Sequence, residues 1–255
     1  KRQERDSPFF LYVPLTAPHT PWMPTDEFRG TTEVDWYGDF VAQTDASIGR
    51  IVKALDDAGF RDETLVIVTS DNGSHWPVAQ IERFGHRANG DWRGQKADIH
   101  EGGHRVPFVC RWPGRIEPGS RSEQTICLTD LMATFAAVVG DTLPSDAGPD
   151  SYSILPAMLA PKLTEPIREA IVHHSLHGTF AIRQGPWKLV EGLGSGGFTA
   201  PQQIEPKPGE PAGQLYNLDN DPAEQNNLWS QRPEIVERMA GLLDRYNRQG
   251  YSRQM

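Results

Sequence analysis

Three short runs of this chain place charged and polar groups where they could do chemistry together. In Thr69-Ser70-Asp71-Asn72-Gly73 a carboxylate and an amide carbonyl stand side by side directly after the apolar run Leu65-Val66-Ile67-Val68. Both are hard oxygen donors suited to calcium or magnesium, and no Cys or His beside them argues for zinc. Asp-Asn-Gly is also favourable turn chemistry, so a bare turn stands beside the ligand reading. The second run is Arg93-Gly94-Gln95-Lys96, followed by His100-Glu101-Gly102-Gly103-His104-Arg105. Lys96, flanked by glycines, could present a compact point charge to an anion, although an isolated lysine is ordinarily a solvated surface group. The third is Pro18-His19-Thr20-Pro21, where two prolines stiffen a loop around an imidazole able to contact an anion or give a proton to a leaving oxygen. His75, Trp76, His86 and Arg87 add groups that could bind a polar ring substrate, or simply pack. A hard cation, a lysine and a histidine converging at one sheet edge would make a pocket for a tetrahedral oxyanion ester. That points to an ester hydrolase, without choosing sulfate over phosphate.

The elements that must position these groups follow an α/β pattern. Phe9-Phe10-Leu11-Tyr12-Val13 reads as a buried strand of the kind that lies centrally in a parallel sheet, with neighbours on both sides, which suggests that the chain begins in the middle of a domain. Residues 35–58 read as an amphipathic helix, with Tyr37, Phe40, Val41, Ile48, Ile51, Val52 and Leu55 at helical spacing and Gly59 as the stop. Residues 65–69 and 106–110 read as further buried strands, 129–139 as a helix, and these connections predict a parallel sheet. After Gly140 the texture changes. Residues 171–175, 179–183 and 187–190 predict an antiparallel meander, 192–213 a Gly- and Pro-rich excursion, and 233–246 a last amphipathic helix. The expected division is a catalytic α/β part over 1–145 and a small α+β part over 146–255.

Bulk composition narrows the function classes. With 25 Lys+Arg against 34 Asp+Glu and a net charge of -9, and with no basic block, nucleic acid is not an expected partner. No apolar run approaches the roughly 20 residues needed to span a bilayer, so no membrane partner is expected, and Lys1-Arg2-Gln3-Glu4-Arg5 does not lead into a secretory signal. Cys110 and Cys127 sit in apolar stretches and read as buried thiols in preference to a disulfide.

Taken in order, Ala17-Pro18-His19-Thr20-Pro21, Thr69-Ser70-Asp71-Asn72-Gly73, Gly94-Gln95-Lys96 with Glu101-Gly102-Gly103, Leu215-Tyr216-Asn217-Leu218 and Asp221-Pro222-Ala223-Glu224-Gln225-Asn226-Asn227-Leu228 resemble the type I sulfatases. The resemblance implies an alkaline-phosphatase-like fold: part of a mostly parallel sheet between helices, then a small antiparallel sheet with a C-terminal helix. It implies Asp71 and Asn72 as calcium ligands, with magnesium second. Lys96 would bind the sulfate and support the leaving oxygen, and His19 would contact sulfate or protonate that oxygen. His75, His86 and Arg87 are carried as substrate-binding candidates, the substrate being a sulfated carbohydrate or aryl sulfate. Family members are usually periplasmic or extracellular, and a homo-oligomer is compatible with all of this. The family's nucleophile, a formylglycine made from Cys or Ser in Cys/Ser-x-Pro/Ala-x-Arg, has no match in the 255 residues. It is expected upstream, and the isolated chain is expected to be inactive. The alternatives are a phosphoesterase of the same superfamily and a non-catalytic binder of sulfated glycans.

Overall fold

The computed structural model describes residues 7–160 and 162–253. The Lys1-Arg2-Gln3-Glu4-Arg5 run therefore lies outside the described residues. Two compact units are present, Lys1–Arg61 and Asp62–Met255. The division drawn from the sequence at residue 145 falls inside the second unit.

The first unit is built on α1, Asp35–Asp57, which the sequence pattern places almost to the residue. Gly59 terminates it with φ +80°. The preceding loop folds onto the helix: Thr25 N–H donates to Gln43 Oε1 (2.8 Å), and Trp22 meets Tyr37 edge to face at 5.2 Å. Asp39, buried within α1, accepts from the N–H groups of Gly30 (2.7 Å) and Thr32 (2.9 Å), so the helix holds its own approach loop through one carboxylate. The strand expected over residues 9–13 is not formed. The segment belongs to none of the described strands, and Phe10 and Tyr12 are 73% and 76% exposed. An apolar run gives a strand only where a ladder partner lies alongside, because unpaired backbone gains nothing from the extended conformation.

The second unit carries two sheets. β1, Val66–Thr69, pairs with β2, Phe108–Arg111, in the register Val66↔Arg111 to Thr69↔Phe108. This pairing is antiparallel, which corrects the parallel relation expected of these two strands. The chain between them holds only the short helices α2, Val78–Phe84, and α3, Glu101–His104, and returns in the opposite sense without a long crossover helix of the kind that parallel neighbours use. Further along, Leu131–Val138 forms α4 and Leu155–Leu159 forms α5. Cys110 and Cys127 are both free and half-buried.

The meander is as the sequence predicts. β3 (Ile171–His174), β4 (Phe180–Gln184), β5 (Trp187–Val190) and β6 (Gln214–Asn217) make a four-stranded antiparallel sheet in sequence order. α6, Pro233–Gln249, closes it, with proline in its first turn and Gly250 at φ +76° as its stop. Ile182, Leu189 and Leu215 from the sheet meet Met239, Leu242, Leu243 and Tyr246 from the helix in the main apolar core. That core anchors the strand ends from which the long loop over residues 192–213 leaves and returns.

Candidate functional site

β1 delivers Asp71 and Asn72 just beyond its C-terminal end, where side chains are free to project above a sheet. The Asp71 carboxylate is exposed. Asn72 directs its amide N–H to the Gly73 carbonyl (2.9 Å), which leaves its amide oxygen as an acceptor. The turn that carries Lys96 docks on this loop through main-chain hydrogen bonds. Lys96 N–H donates to the Ser74 carbonyl (3.1 Å), and Gly73 N–H donates to the Gly103 carbonyl (2.9 Å). A Cβ on Gly73 would lie 1.8 Å from the Gly102 carbonyl oxygen, and one on Gly103 would lie 2.5 Å from that of Asp98. Only glycine allows these backbones to touch. Asn89 completes the joint, its amide nitrogen donating to the carbonyls of Ser74 (3.1 Å) and Gly94 (3.2 Å) while its oxygen accepts from Ser74 N–H (2.9 Å).

The Lys96 turn is itself constrained. Ala97 has φ +77°, a left-handed conformation that costs a non-glycine residue on the order of 1–3 kcal/mol and persists only where its surroundings impose it. Here Asp98 N–H donates to the Gln95 carbonyl (3.0 Å) and Leu176 N–H donates to the Ala97 carbonyl (2.9 Å). The loop over residues 192–213 adds Thr199, which gives its N–H to Asp98 Oδ1 (3.0 Å) and its hydroxyl to Asp98 Oδ2 (2.5 Å). It also sets Phe198 edge to face against His75, ring centroids 5.4 Å apart.

Behind the turn lies a buried charge cluster. Lys188 on β5 has no exposed surface, and its ammonium sits 3.1 Å from Glu101 Oε1 and 2.9 Å from Glu224 Oε1. Glu224 Oε2 accepts the Glu101 N–H (2.6 Å), and Arg105 and Arg183 reach the other oxygen of Glu101 at 2.6 and 3.3 Å. Burial pushes Glu101 up, but Lys188 and the two guanidiniums outweigh it and hold the carboxyl at about 2. Burial pushes Glu224 up as well, and Lys188, His100 and the Glu101 N–H together hold it below its ordinary value. His104 and His173, rings 4.2 Å apart, are both pushed down by burial, His104 to about 4, so they are neutral near pH 7. Glu101 thus ties the Gly102-Gly103 shelf beneath Asp71 and Asn72 to the antiparallel sheet.

The structure therefore brings Asp71, Asn72, Lys96 and His75 into one neighbourhood. His86 and Arg87 lie beyond Trp76, exposed, with Trp76 donating its indole N–H to the His86 carbonyl (2.8 Å) and Arg87 bonded to Gly90 (3.0 Å). His19 belongs to the first unit, exposed, its Nδ1 2.7 Å from the Thr20 carbonyl. A carbonyl only accepts, so the neutral ring carries its proton on Nδ1, and donation from Nε2 requires the imidazolium. Sequence reasoning did not single out Asn89, Asp98, Thr199, Lys188 or Glu224 as working residues. The available signal for Glu224 was its place in the Asp221-Pro222-Ala223-Glu224 run, and for Lys188 its position inside an apolar strand.

Element order and the small helix-closed sheet define the class: an α/β chain of alkaline-phosphatase-like fold. Residues 1–141 match the Sulfatase family, and the chain belongs to that family. An N-acetylgalactosamine-6-O-sulfatase from Bacteroides thetaiotaomicron is 35% identical over 245 residues, which cover 94% of this chain and 47% of that protein. A steryl-sulfatase from Rattus norvegicus is 38% identical over 161 residues, 62% of this chain and 28% of that one. A solved Bacteroides thetaiotaomicron structure from work on the metabolism of multiple glycosaminoglycans superposes with a TM-score of 0.82 at 35% identity, over 94% of this chain and 50% of its own. The chain thus spans about half the length, or less, of the relatives it matches.

Proposed function

We propose that this chain supplies part of the active site of a sulfuric ester hydrolase that releases inorganic sulfate from a sulfated carbohydrate. The observation that carries this is the backbone joint of Gly73 with Gly103 and Ser74 with Lys96, which brings the turn bearing Lys96 alongside the loop that bears Asp71 and Asn72 at a strand end. In this reading Lys96 holds the sulfate and supports the departing oxygen as negative charge develops there. Asp71 and Asn72 fit calcium in donor chemistry, an exposed carboxylate and an amide oxygen whose own N–H is already engaged. They supply two of the six to eight oxygens that such an ion takes. Among the described residues no group of three or more His, Cys, Asp or Glu is placed to hold a metal. A bound calcium ion would neutralise charge on the sulfate oxygens. The names of the N-acetylgalactosamine-6-sulfatase relatives support a sulfated amino sugar as substrate, and the family's habit supports a periplasmic or extracellular setting.

The test is made on the whole protein with N-acetylgalactosamine 6-sulfate as substrate. Lys96→Ala should lower sulfate release about 100-fold or more, as removal of one charge-stabilising donor does. Asp71→Asn should abolish the rise in melting temperature on adding calcium. Unchanged turnover in the first variant together with an unchanged calcium response in the second would refute the assignment.

A further inference from the structure

Phe198 is held in a way that packing alone does not require. It keeps 43% of its surface exposed, yet both of its chain neighbours are fixed. Gly197 lies so close to the Lys96 turn that a Cβ there would sit 2.3 Å from the Ala97 carbonyl oxygen, and its N–H is bonded to Ser195 Oγ (3.1 Å). Thr199 is bonded on its N–H and its hydroxyl to Asp98, receives Gln95 Nε2 at 3.3 Å, and has its carbonyl capped by the Ser195 hydroxyl. The loop base is secured as well, because Gln214 Nε2 donates to the carbonyls of Gly192 (2.9 Å) and Gly194 (3.0 Å).

These bonds close a triangle around Lys96. On one side its N–H is bonded to Ser74, whose neighbour is His75; on the other, its neighbour Gln95 is bonded to Thr199, whose neighbour is Phe198. The third side is the edge-to-face contact of His75 with Phe198. A rigid, exposed phenyl beside an imidazole offers contact area at little entropic cost, and an aromatic face suits the C–H face of a sugar ring.

The geometry points to Phe198 as a specificity-determining residue that receives the ring face of a sulfated pyranoside beside Lys96, with Thr199 as the positioning residue that fixes this wall to the Lys96 turn. This rests on the role of Lys96 proposed above. Binding of the sulfate group alone should not involve the wall, whereas binding of a sulfated sugar should.

The experiment compares two readouts in the whole protein: KM for N-acetylgalactosamine 6-sulfate and the inhibition constant of inorganic sulfate. Phe198→Ala should raise KM about 3- to 10-fold, as expected for loss of one aromatic contact, and leave sulfate inhibition unchanged. Phe198→Trp should keep KM near wild type and guards against a general folding defect. Thr199→Val should weaken both readouts, and Thr199→Ser should restore them. An unchanged KM in Phe198→Ala, or a KM raised equally in Phe198→Trp, would overturn the inference. If Lys96→Ala leaves sulfate inhibition intact, the role of Lys96 fails instead, and the two failures are thereby told apart.

Discussion

Lys188→Met removes the buried ammonium while keeping most of the side-chain volume, and its cost can be worked from the contacts. At an effective dielectric of about 20, each of the contacts with Glu101 (3.1 Å) and Glu224 (2.9 Å) carries about 5 kcal/mol of Coulomb attraction. Stripping water from three ions offsets much of this. What remains after Lys188 is lost is two carboxylates in an enclosed space. Glu101 retains Arg105 and Arg183, whereas the ion-pair partner left near Glu224 is His100, 3.6 Å away and itself pushed down by burial. Breaking one side of such a buried cluster costs about 3–5 kcal/mol. For a unit of this size each kcal/mol lowers the melting temperature by about 2–4 °C, so a fall of about 6–20 °C is expected in scanning calorimetry. Adding Glu224→Gln to Lys188→Met should recover part of the loss, because the uncompensated charge is then gone. The pH dependence has a definite sign. A carboxyl held below its ordinary 4.5, as Glu101 is at about 2, contributes stability above the higher value and loses it as pH falls towards the lower. The wild-type melting temperature should therefore fall between about pH 5 and pH 2, and Lys188→Met should show a shallower fall over that window. A melting temperature within about 2 °C of wild type, or a double variant as costly as the sum of its parts, would refute the assignment of Lys188 as the hub of the cluster.

Three further variants test the joint, a helix position away from it, and the histidine pair. Gly73→Ala should destabilise by about 2–3 kcal/mol, since its Cβ would meet the Gly102 carbonyl at 1.8 Å, whereas Gly241→Ala on α6, with nothing within 4 Å, should stabilise by about 0.5–1 kcal/mol; denaturant unfolding reads both. His104 is held near 4 by burial and Lys188, so the unfolded chain binds the extra proton first, and stability is lost as pH falls from 6.5 towards 4. His104→Gln should flatten the stability profile in that interval, and an unaltered slope would rule out the titration.

The helices at 35–57 and 233–249 and the meander were legible because helical spacing, stop glycines and turn residues are local signals that do not depend on which remote segment packs alongside. The sense of the β1–β2 pairing was not, because residues 106–110 read the same whichever way the partner runs. Residues 9–13 were misread for a related reason: an apolar run states a preference for burial but does not supply the strand that buries it. At the site, Asp71, Asn72 and Lys96 were visible as residue types after strands and beside glycines. Asp98, Thr199 and Lys188 were not, because their partners are remote in sequence and an aspartate, a threonine and a lysine carry no local mark of such pairing.

Every missense change at Gly73 adds at least a Cβ, and the oxygen that it would strike belongs to main chain, which no substitution elsewhere can trim. The spacing between the Asp71-Asn72 loop and the Lys96 turn is consequently a property of peptide geometry, shielded from drift in the surrounding side chains. The Phe198 side chain, which keeps 43% of its surface exposed, is open to the opposite history. On the proposed reading, such a protein can change which sugar it takes while the spacing of Asp71, Asn72 and Lys96 stays where it was.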